Sequence, residues 1–202
     1  MQEIIIATNN VNKVKEYQEL FAQLNINVKS LLDFDFIGEI DETGSTFAEN
    51  SLIKAEYLSE FLKVPVLADD SGLEIIELDN FPGIYPKRWA APILDNKIVN
   101  DLLLEKCKDL SDRSARAVCA LSYVDSQRNV AKTFLGVTNG EIALEPRGDD
   151  AFGFDPIFLL PELNKTYGEL SLHEKNQYSH RSKAIKLFMD WYAQAGEHHA
   201  NK

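Results

Sequence analysis

The stretch Val66-Leu67-Ala68-Asp69-Asp70-Ser71-Gly72 decides the fold, because an apolar run leads directly into two adjacent carboxylates. The apolar part predicts a short buried strand, and the acidic part predicts a turn at its end. Adjacent aspartates repel each other and lose hydration on burial, and a bound Mg²⁺ would relieve both costs. Ser71 and Gly72 are also typical of an ordinary turn. The position at the end of a strand favours a functional site.

The regions on either side of this stretch alternate between helix and strand patterns. We predict strands over 3–7, 26–31, 73–78 and 156–159, a hairpin of 115–124 with 130–137, and helices over 12–24, 47–63, 96–108 and 179–193. Thr46 and Glu49 form a capping-box pattern, and Asn139-Gly140 is a turn signal. The fold class is therefore α/β (mixed α+β), with mixed strand pairing. We expect a single domain over 1–196 and a frayed tail over 197–202.

The overall charge restricts the partners that the chain can bind. The 202 residues include 21 Lys or Arg and 32 Asp or Glu, which gives a formal net charge of −11. Such an excess repels nucleic-acid polymers and anionic membranes, but not a small anion that arrives with a divalent cation. Cys107 and Cys119 show no metal-ligand spacing. The sequence shows neither a signal peptide nor a membrane span, and we therefore expect a cytoplasmic protein.

A candidate phosphate loop lies between the first strand and the first helix. Its residues are Thr8, Asn9, Asn10, Val11, Asn12 and Lys13. Free N–H groups at a helix N-terminus bind phosphate, the polar side chains add donors, and Lys13 adds a full charge. A simple helix cap followed by a solvated lysine explains the same residues equally well.

Acidic and basic groups also surround the second helix. Asp41 and Glu42 precede it, and either carboxylate could complete a metal site with Asp70 if the loop folds over the strand end. The alternative is ordinary acidic charge at a helix N-terminus. Lys54 lies on the helix itself, where it could contact phosphate or simply be exposed.

The C-terminal half contains a candidate base-binding group. Phe152, Gly153, Phe154 and Asp155 could stack on a purine and accept a hydrogen bond from its ring N–H, or the two aromatic rings could enter the core. Lys175, His180 and Arg181 form a local basic group, and Lys and Arg side chains can neutralise phosphate or donate to base carbonyl oxygens. Surface charge at a helix start is the alternative explanation.

Seven motifs occur together and in a fixed order along the chain. They are Ala7-Thr8-Asn9-Asn10 with Lys13, Glu42-Thr43-Gly44 with Thr46-Phe47, Glu49-Asn50 with Lys54-Ala55, Ala68-Asp69-Asp70-Ser71-Gly72-Leu73, Pro82-Gly83-Ile84-Tyr85 with Arg88, Phe152-Gly153-Phe154-Asp155-Pro156-Ile157-Phe158, and Glu174-Lys175 with Ser179-His180-Arg181. The chain thereby resembles the inosine and xanthosine triphosphate pyrophosphatases, also called the Ham1-like family. The resemblance extends over most of the chain.

The resemblance implies an elongated central mixed sheet flanked by helices, and two lobes with a nucleotide cleft between them. It also implies a homodimer that uses Mg²⁺ to hydrolyse aberrant purine nucleoside triphosphates (ITP, dITP and XTP) to the monophosphate and pyrophosphate. A non-catalytic purine nucleotide sensor is the alternative that we keep.

The same resemblance implies roles for individual residues. The phosphate loop would hold the triphosphate, Asp70 would be the general base and a metal ligand, and either Asp41 or Glu42 would be the second ligand. Asp69 and Lys54 would support the metal and the phosphates, and Ser71 would contact the nucleotide. The base and sugar would be framed by Phe152, Gly153, Phe154, Asp155, Lys175, His180 and Arg181. Ala91, Ala151 and Phe154 depart from the usual family residues, which affects fine base preference more than the reaction.

Overall fold

The sheet is built from strands on both sides of the acidic stretch. The computed structural model describes residues 2–22, 26–34, 38, 40–85, 89–148 and 152–200. In this part of the chain the strands are β1 (Gln2–Ile6), β2 (Ile26–Ser30), β3 (Val66–Ile75), β4 (Phe81–Pro82), β5 (Ser114–Asp125), β6 (Val130–Ile142), β7 (Phe158–Leu160) and β8 (Lys165–Thr166). The helices are α1 (Val11–Ala22), α2 (Phe47–Leu62), α3 (Asn96–Lys106), α4 (Leu172–Tyr178) and α5 (His180–Ala200).

The strand pairing is mixed, as the sequence predicts. The eight strands form one sheet in the order β2-β1-β3-β5-β6-β7-β8, and β4 pairs with β3. β1 runs parallel to β2 and β3, whereas β7 runs antiparallel to β6 and β8. The predicted α/β class with helices against a mixed sheet is therefore confirmed.

Side-chain alternation in β1 and β3 creates two different apolar layers. Ile4 and Ile6 of β1 pack in a cluster with residues of α1 and α5, whereas Ile5 packs in a cluster with residues of α2. β3 continues this division, because Leu67 belongs to the first cluster while Val66 and Ala68 belong to the second. Successive side chains of a strand point to opposite faces, and the next two residues of β3 therefore enter different environments.

The acidic stretch is not a turn, and this prediction was wrong. Asp69, Asp70, Ser71 and Gly72 all lie inside β3, which runs without interruption from Val66 to Ile75. Asp, Ser and Gly have low strand propensity by themselves. β1 and β5 lie on either side of β3 in the sheet, and backbone pairing in a central strand overrides that local preference.

The turn predicted at Asn139-Gly140 was also wrong, because both residues lie within β6. A Cβ atom on Gly140 would approach the carbonyl oxygen of Leu159 to 2.5 Å. The absence of a side chain at Gly140 therefore allows β7 to approach closely, and it does not mark a reversal of the chain.

Several boundaries differ from the sequence prediction. The strand expected over 156–159 is Phe158–Leu160, and α4 and β8 were not predicted. The last helix continues to Ala200 instead of ending at 193, and the rest of the predicted tail lies outside the described residues. Thr46 caps α2 by accepting from the backbone N–H of Glu49, but the Glu49 carboxylate accepts from Ser45 instead of completing the predicted capping box.

The chain divides into two compact units. Unit 1 consists of Met1–Asp70, Cys119–Gly136 and His180–Lys202, and unit 2 consists of Ser71–Val118 and Val137–Ser179. The expectation of a single two-lobed domain over 1–196 stays a prediction. Within the described ranges, no helix combines the length and the apolar character that crossing a membrane requires.

Candidate active site

The predicted phosphate loop is a capped helix start in which Thr8 is buried and Asn10 and Lys13 are partly buried. The Thr8 hydroxyl accepts from the backbone N–H of Asn10 at 3.1 Å. The Asn10 side-chain oxygen in turn accepts from the N–H groups of Asn12 and Lys13, at 3.0 and 3.2 Å, which caps α1. Asn9, Val11 and Asn12 are exposed. The helix cap expected at this position is therefore present at Asn10, but Lys13 is not a solvated lysine, because its side chain is only 17% exposed and donates to Asp69.

Asp69 lies in a buried group of charges on the α1 and α5 side of the sheet. Its carboxylate is almost fully buried and accepts a hydrogen bond from the ammonium group of Lys13 at 2.9 Å. The guanidinium of Arg181 lies 3.5 Å from the same Asp69 oxygen. These three residues all belong to unit 1, and two helices are thereby joined to one position of β3.

Arg181 also pairs with a second buried carboxylate. Its guanidinium donates to Glu16 of α1, and its Cζ atom lies 5.7 Å from the ring centroid of Tyr17. Arg181 and Glu16 are both almost completely buried. The structure therefore places the Arg181 side chain inside unit 1, held by carboxylates on two sides.

The electrostatic environment strongly favours the ionised form of Asp69. Burial by itself raises the pKa of this carboxyl, but the positive charges of Lys13, Arg181 and Lys54 outweigh that effect and hold the pKa well below its ordinary value of 3.8. The attraction between Asp69 and these positive charges therefore stabilises the fold only while the Asp69 carboxylate is ionised.

This shift predicts how stability changes on acidification. Because the folded-state pKa lies below the unfolded value, the contribution is present above about pH 4 and is lost as the pH falls further, by on the order of 2 kcal/mol. We expect Asp69→Asn to show a shallower decrease in the free energy of unfolding between about pH 5 and pH 3 than the parent protein. Denaturant titrations across that range measure the two slopes. Equal slopes would contradict the prediction.

Asp70 faces the opposite side of the sheet, where α2 lies. The amide of Asn50 donates to one Asp70 oxygen at 3.1 Å, and the ammonium of Lys54 lies 3.9 Å from the other. The Asn50 side-chain oxygen accepts from the backbone N–H of Gly44 at 2.8 Å. A Cβ atom on Gly44 would lie 2.6 Å from the Cβ of Glu49, so only glycine allows the loop to pass this close to α2. Asn50 thus connects the acidic loop with Asp70.

The pKa of Asp70 is shifted in the opposite direction to that of Asp69. Burial raises it most, and the nearby charge of Glu42 raises it further, although Lys54 and the Asn50 hydrogen bond lower it in part. A raised pKa makes a carboxylate a stronger proton acceptor while it remains ionised near neutral pH. The two adjacent aspartates therefore differ in chemistry because they face different sides of one strand.

The structure distinguishes between the two candidate acids of the loop. Glu42 is half-buried, and its carboxylate lies 3.2 Å from the Lys54 ammonium. The same ammonium also approaches Asp70 and donates to the backbone oxygen of Asp69 at 2.7 Å. Asp41 is exposed. Glu42 and Asp70 thus share one cation, which is an arrangement that a metal could also satisfy.

The donor set fits a Mg²⁺ ion with only two carboxylate ligands from the protein rather than a metal enclosed by protein side chains. Among the described residues, no three His, Cys, Asp or Glu side chains are grouped as a complete metal site. Mg²⁺ is commonly bound by only one or two protein carboxylates, with water and substrate phosphates supplying its other ligands. Glu42 and Asp70 match that pattern.

Unit 2 contains a second polar group, built around Lys175. The buried ammonium of Lys175 donates to Asp155 at 2.6 Å, and it lies 5.9 Å from the ring centroid of Phe152 and 5.5 Å from that of Tyr167. The backbone oxygen of Gly153 accepts from Asn100 at 2.9 Å. Phe152, Asp155 and Lys175 therefore lie close together in this unit.

The other residues predicted to frame the base have different surroundings. Phe154 packs against the apolar cluster of unit 2, in agreement with the core alternative for this ring. His180 begins α5, and Ser71 is half-buried in β3. Lys175 belongs to unit 2 and pairs with Asp155 there, whereas His180 and Arg181 belong to unit 1, where Arg181 pairs with Glu16.

Sequence reasoning gave no site role to four residues that contact the predicted site groups, although one of them, Asn50, belongs to one of the seven motifs. They are Glu16, Asn50, Asn100 and Tyr167. An acidic residue on an apolar helix face was the available signal for Glu16, which lies directly before Tyr17. No local pattern indicates the partners of Asn100 or Tyr167.

Comparisons with known proteins show which proteins this chain is similar to. A model of the Ham1 family matches residues 4–191. The dITP/XTP pyrophosphatase of Geobacillus kaustophilus is 46% identical over 194 residues, which cover 95% of both chains. That of Dictyoglomus thermophilum is 40% identical and covers 96% of this chain and 97% of its own.

Solved structures show the same similarity in three dimensions. The Ham1 protein of Staphylococcus aureus superposes with a TM-score of 0.83 at 38% identity. A Ham1 protein from Coxiella burnetii gives 0.85 at 38% identity. In both cases the match covers 96% of this chain and 100% of the other.

Proposed function

Since the chain belongs to the Ham1 family, we propose that it hydrolyses noncanonical purine nucleoside triphosphates (dITP, ITP and XTP) to the monophosphate and pyrophosphate. The observation that carries the proposal is the position of Asp70. Its carboxylate has a raised pKa and lies beside Glu42, Lys54 and Asn50, in the same unit as the exposed phosphate loop. The names of the relatives support the substrate class.

In the proposed reaction, Asp70 accepts a proton from the water that attacks the α-phosphorus. The bond to the bridging oxygen breaks, and pyrophosphate leaves with the additional negative charge. Lys13 and Lys54 are proposed to neutralise that charge, and Asn50, which donates to Asp70, is proposed to orient its carboxylate. Thr8, Asn9, Asn10, Val11 and Asn12 are proposed to hold the terminal phosphates through backbone and side-chain donors.

Glu42 and Asp70 are the residues proposed to hold Mg²⁺. The bound ion would supply positive charge at the phosphate oxygens, where charge grows in the transition state. Lys54 lies between the two carboxylates, so it can remain close to the phosphates and add to the same neutralisation. Asp69 is proposed as a support rather than a ligand, since its side chain faces the other side of the sheet.

The base is proposed to stack on Phe152 and to donate its ring N–H to Asp155. Lys175 donates to Asp155 at 2.6 Å, which fixes the position of the carboxylate. Phe154 packs in the core, and Phe152 is therefore the better candidate for stacking. The family resemblance supports Gly153, Ser71, His180 and Arg181 as further nucleotide contacts. Donors aimed at a 6-oxo group reject adenine strongly, since adenine presents a donor at that position.

The proposal includes a homodimer and a cytoplasmic location. Both rest on the family resemblance. Light scattering of the purified protein tests the first, and fractionation of cells that express the chain tests the second.

A product assay tests the proposed function directly. The protein is incubated with dITP, ITP, XTP and, for comparison, dATP in the presence of Mg²⁺, and the products are separated chromatographically. We expect monophosphate and pyrophosphate from the first three and little product from dATP. Release of orthophosphate with a nucleoside diphosphate left behind would overturn the proposal. No turnover of any nucleotide that nevertheless binds would support a sensor instead.

A pair of substitutions tests the choice between the two acids of the loop. We expect Glu42→Gln to raise the Mg²⁺ concentration for half-maximal activity by about tenfold or more, because it removes a ligand that shares a cation with Asp70. Asp41→Asn removes the neighbouring carboxylate, which is exposed, and should leave that concentration unchanged. Activity is measured over a series of Mg²⁺ concentrations. The opposite pattern would assign the ligand to Asp41.

A further inference from the structure

The ammonium group of Lys13 has two competing anionic partners. It carries the full positive charge of the proposed phosphate loop, but the structure places it 2.9 Å from the Asp69 carboxylate. The ammonium has three N–H donors, so a phosphate oxygen can either share it with Asp69 or draw it away from Asp69. Asp69 and a bound phosphate are therefore alternative or joint acceptors of one ammonium group.

The two members of this pair differ in their access to solvent. The Lys13 side chain is 17% exposed, whereas that of Asp69 is 1% exposed. Lysine has a flexible four-carbon stem, and its ammonium can turn toward the loop while its backbone stays in α1. The Asp69 carboxylate lies on a central strand and has no such freedom. Lys13 is therefore the member that moves.

The surrounding charges allow Lys13 to leave Asp69 without exposing a bare buried charge. Glu16 and Arg181 form a pair that is neutral in sum, and the Arg181 guanidinium still lies 3.5 Å from Asp69. The positive charge of Lys54 also acts on the Asp69 carboxyl. The departure of Lys13 thus weakens the interactions of Asp69 without removing them all.

We propose that Asp69 is a positioning residue that competes with phosphate for Lys13 and recaptures the lysine when pyrophosphate leaves. Asp69 would thereby weaken the binding of the product and speed its release. This inference rests on the proposed role of Lys13 in phosphate binding. It gives the two aspartates separate tasks, since Asp70 acts on the attacking water and Asp69 acts through a lysine on the leaving group.

The expected change in pyrophosphate affinity depends on the fraction of time that Lys13 spends in contact with Asp69. If Lys13 contacts Asp69 about nine-tenths of the time, the apparent affinity for pyrophosphate is reduced about tenfold. Removing the Asp69 charge should therefore lower the dissociation constant of pyrophosphate by about tenfold. A purely structural Asp69 predicts the opposite direction, since a disturbed loop binds less well.

The experiment is a double-mutant cycle on pyrophosphate binding, measured by calorimetry at a fixed Mg²⁺ concentration. Asp69→Asn should bind pyrophosphate more tightly than the parent, and Lys13→Met should bind it more weakly. In the double variant, Asp69→Asn should not tighten pyrophosphate binding, because Lys13, for which Asp69 and pyrophosphate compete, is absent. An unchanged or weaker affinity in Asp69→Asn would overturn the proposal. A tightening that persists in the double variant would also overturn it, since that result indicates a general field effect of the removed charge.

The cycle separates this proposal from the proposed function. Pyrophosphate binding can be measured whether or not the parent protein turns over dITP, so a failure of the product assay leaves the competition testable. Asp69→Asn is expected to fold, because Glu16 and Arg181 remain paired and Lys13 can turn toward solvent.

If Asp69→Asn does not fold, a second measurement tests the pairing of Lys13 with Asp69 on which the proposal depends. Lys13→Met should lower the midpoint of thermal unfolding relative to Lys15→Met, which removes an exposed lysine from the same helix. The difference arises because Lys13 pairs with a buried carboxylate whereas Lys15 is exposed. Equal midpoints for the two variants would overturn the competing pair on which the proposal depends.

Discussion

Asp70→Asn is expected to reduce the turnover of dITP by about 10²–10⁴-fold, which is the usual contribution of a general base. The amide cannot accept the proton of the attacking water, and it also weakens the proposed metal site that Asp70 shares with Glu42. The side chains are nearly the same size, so the hydrogen bond with Asn50 can be retained. Steady-state kinetics at saturating Mg²⁺ gives the loss in kcat.

Nucleotide binding by the same variant distinguishes an enzyme from a sensor. We expect dITP to bind Asp70→Asn with an affinity close to that of the parent, because the phosphate loop and the group around Lys175 are intact. Asp41→Asn serves as the matched control, since it makes the same chemical change at an exposed position of the same unit. Full turnover in Asp70→Asn would remove Asp70 from the mechanism.

The largest effect on stability is expected for Arg181→Met. The substitution leaves the Glu16 carboxylate buried without its cation, and it takes from Asp69 one of the charges that hold it ionised. Breaking a buried ion pair from one side typically costs about 3–5 kcal/mol. We expect a loss of that size in the free energy of unfolding, measured by denaturant titration at neutral pH.

Two further variants control this result. Arg128→Met removes an arginine that is 73% exposed and pairs with Asp125 at 3.7 Å, and it should change stability by less than about 0.5 kcal/mol. Adding Glu16→Gln to Arg181→Met removes the buried carboxylate charge that has lost its arginine, and it should restore part of the lost stability. An equal loss for Arg181→Met and Arg128→Met is the outcome that contradicts a stabilising role for the buried pair.

The sequence pattern predicted the strands and helices that carry the site residues better than it predicted the contacts among those residues. The apolar run before Asp69 indicates a buried strand, and the cap residues Asn10 and Thr46 mark the starts of α1 and α2. These signals depend on neighbours within a few positions, which are present in the sequence alone. The acidic stretch was assigned to a turn for the same reason, since its local composition favours turns.

The assignment of residues to groups failed where sequence proximity differed from spatial proximity. Lys175 and Arg181 are close in sequence, but they bind carboxylates in different units. Arg181 meets Glu16 across 165 positions of the chain, and Lys13 meets Asp69 across 56. No periodicity or spacing rule connects residues at such separations.

The sequence by itself determined the fold class, the seven ordered motifs and the family to which the chain belongs, because these depend on residue types and on their order. The tertiary structure alone decided that Asp69 and Asp70 have different neighbours. β3 passes through the acidic stretch without a turn, and the alternation of a strand directs Asp69 toward Lys13 and Arg181 and directs Asp70 toward Asn50 and Lys54. Because the central position of β3 in the sheet is set by distant strands, that division could not be predicted from the two aspartates themselves.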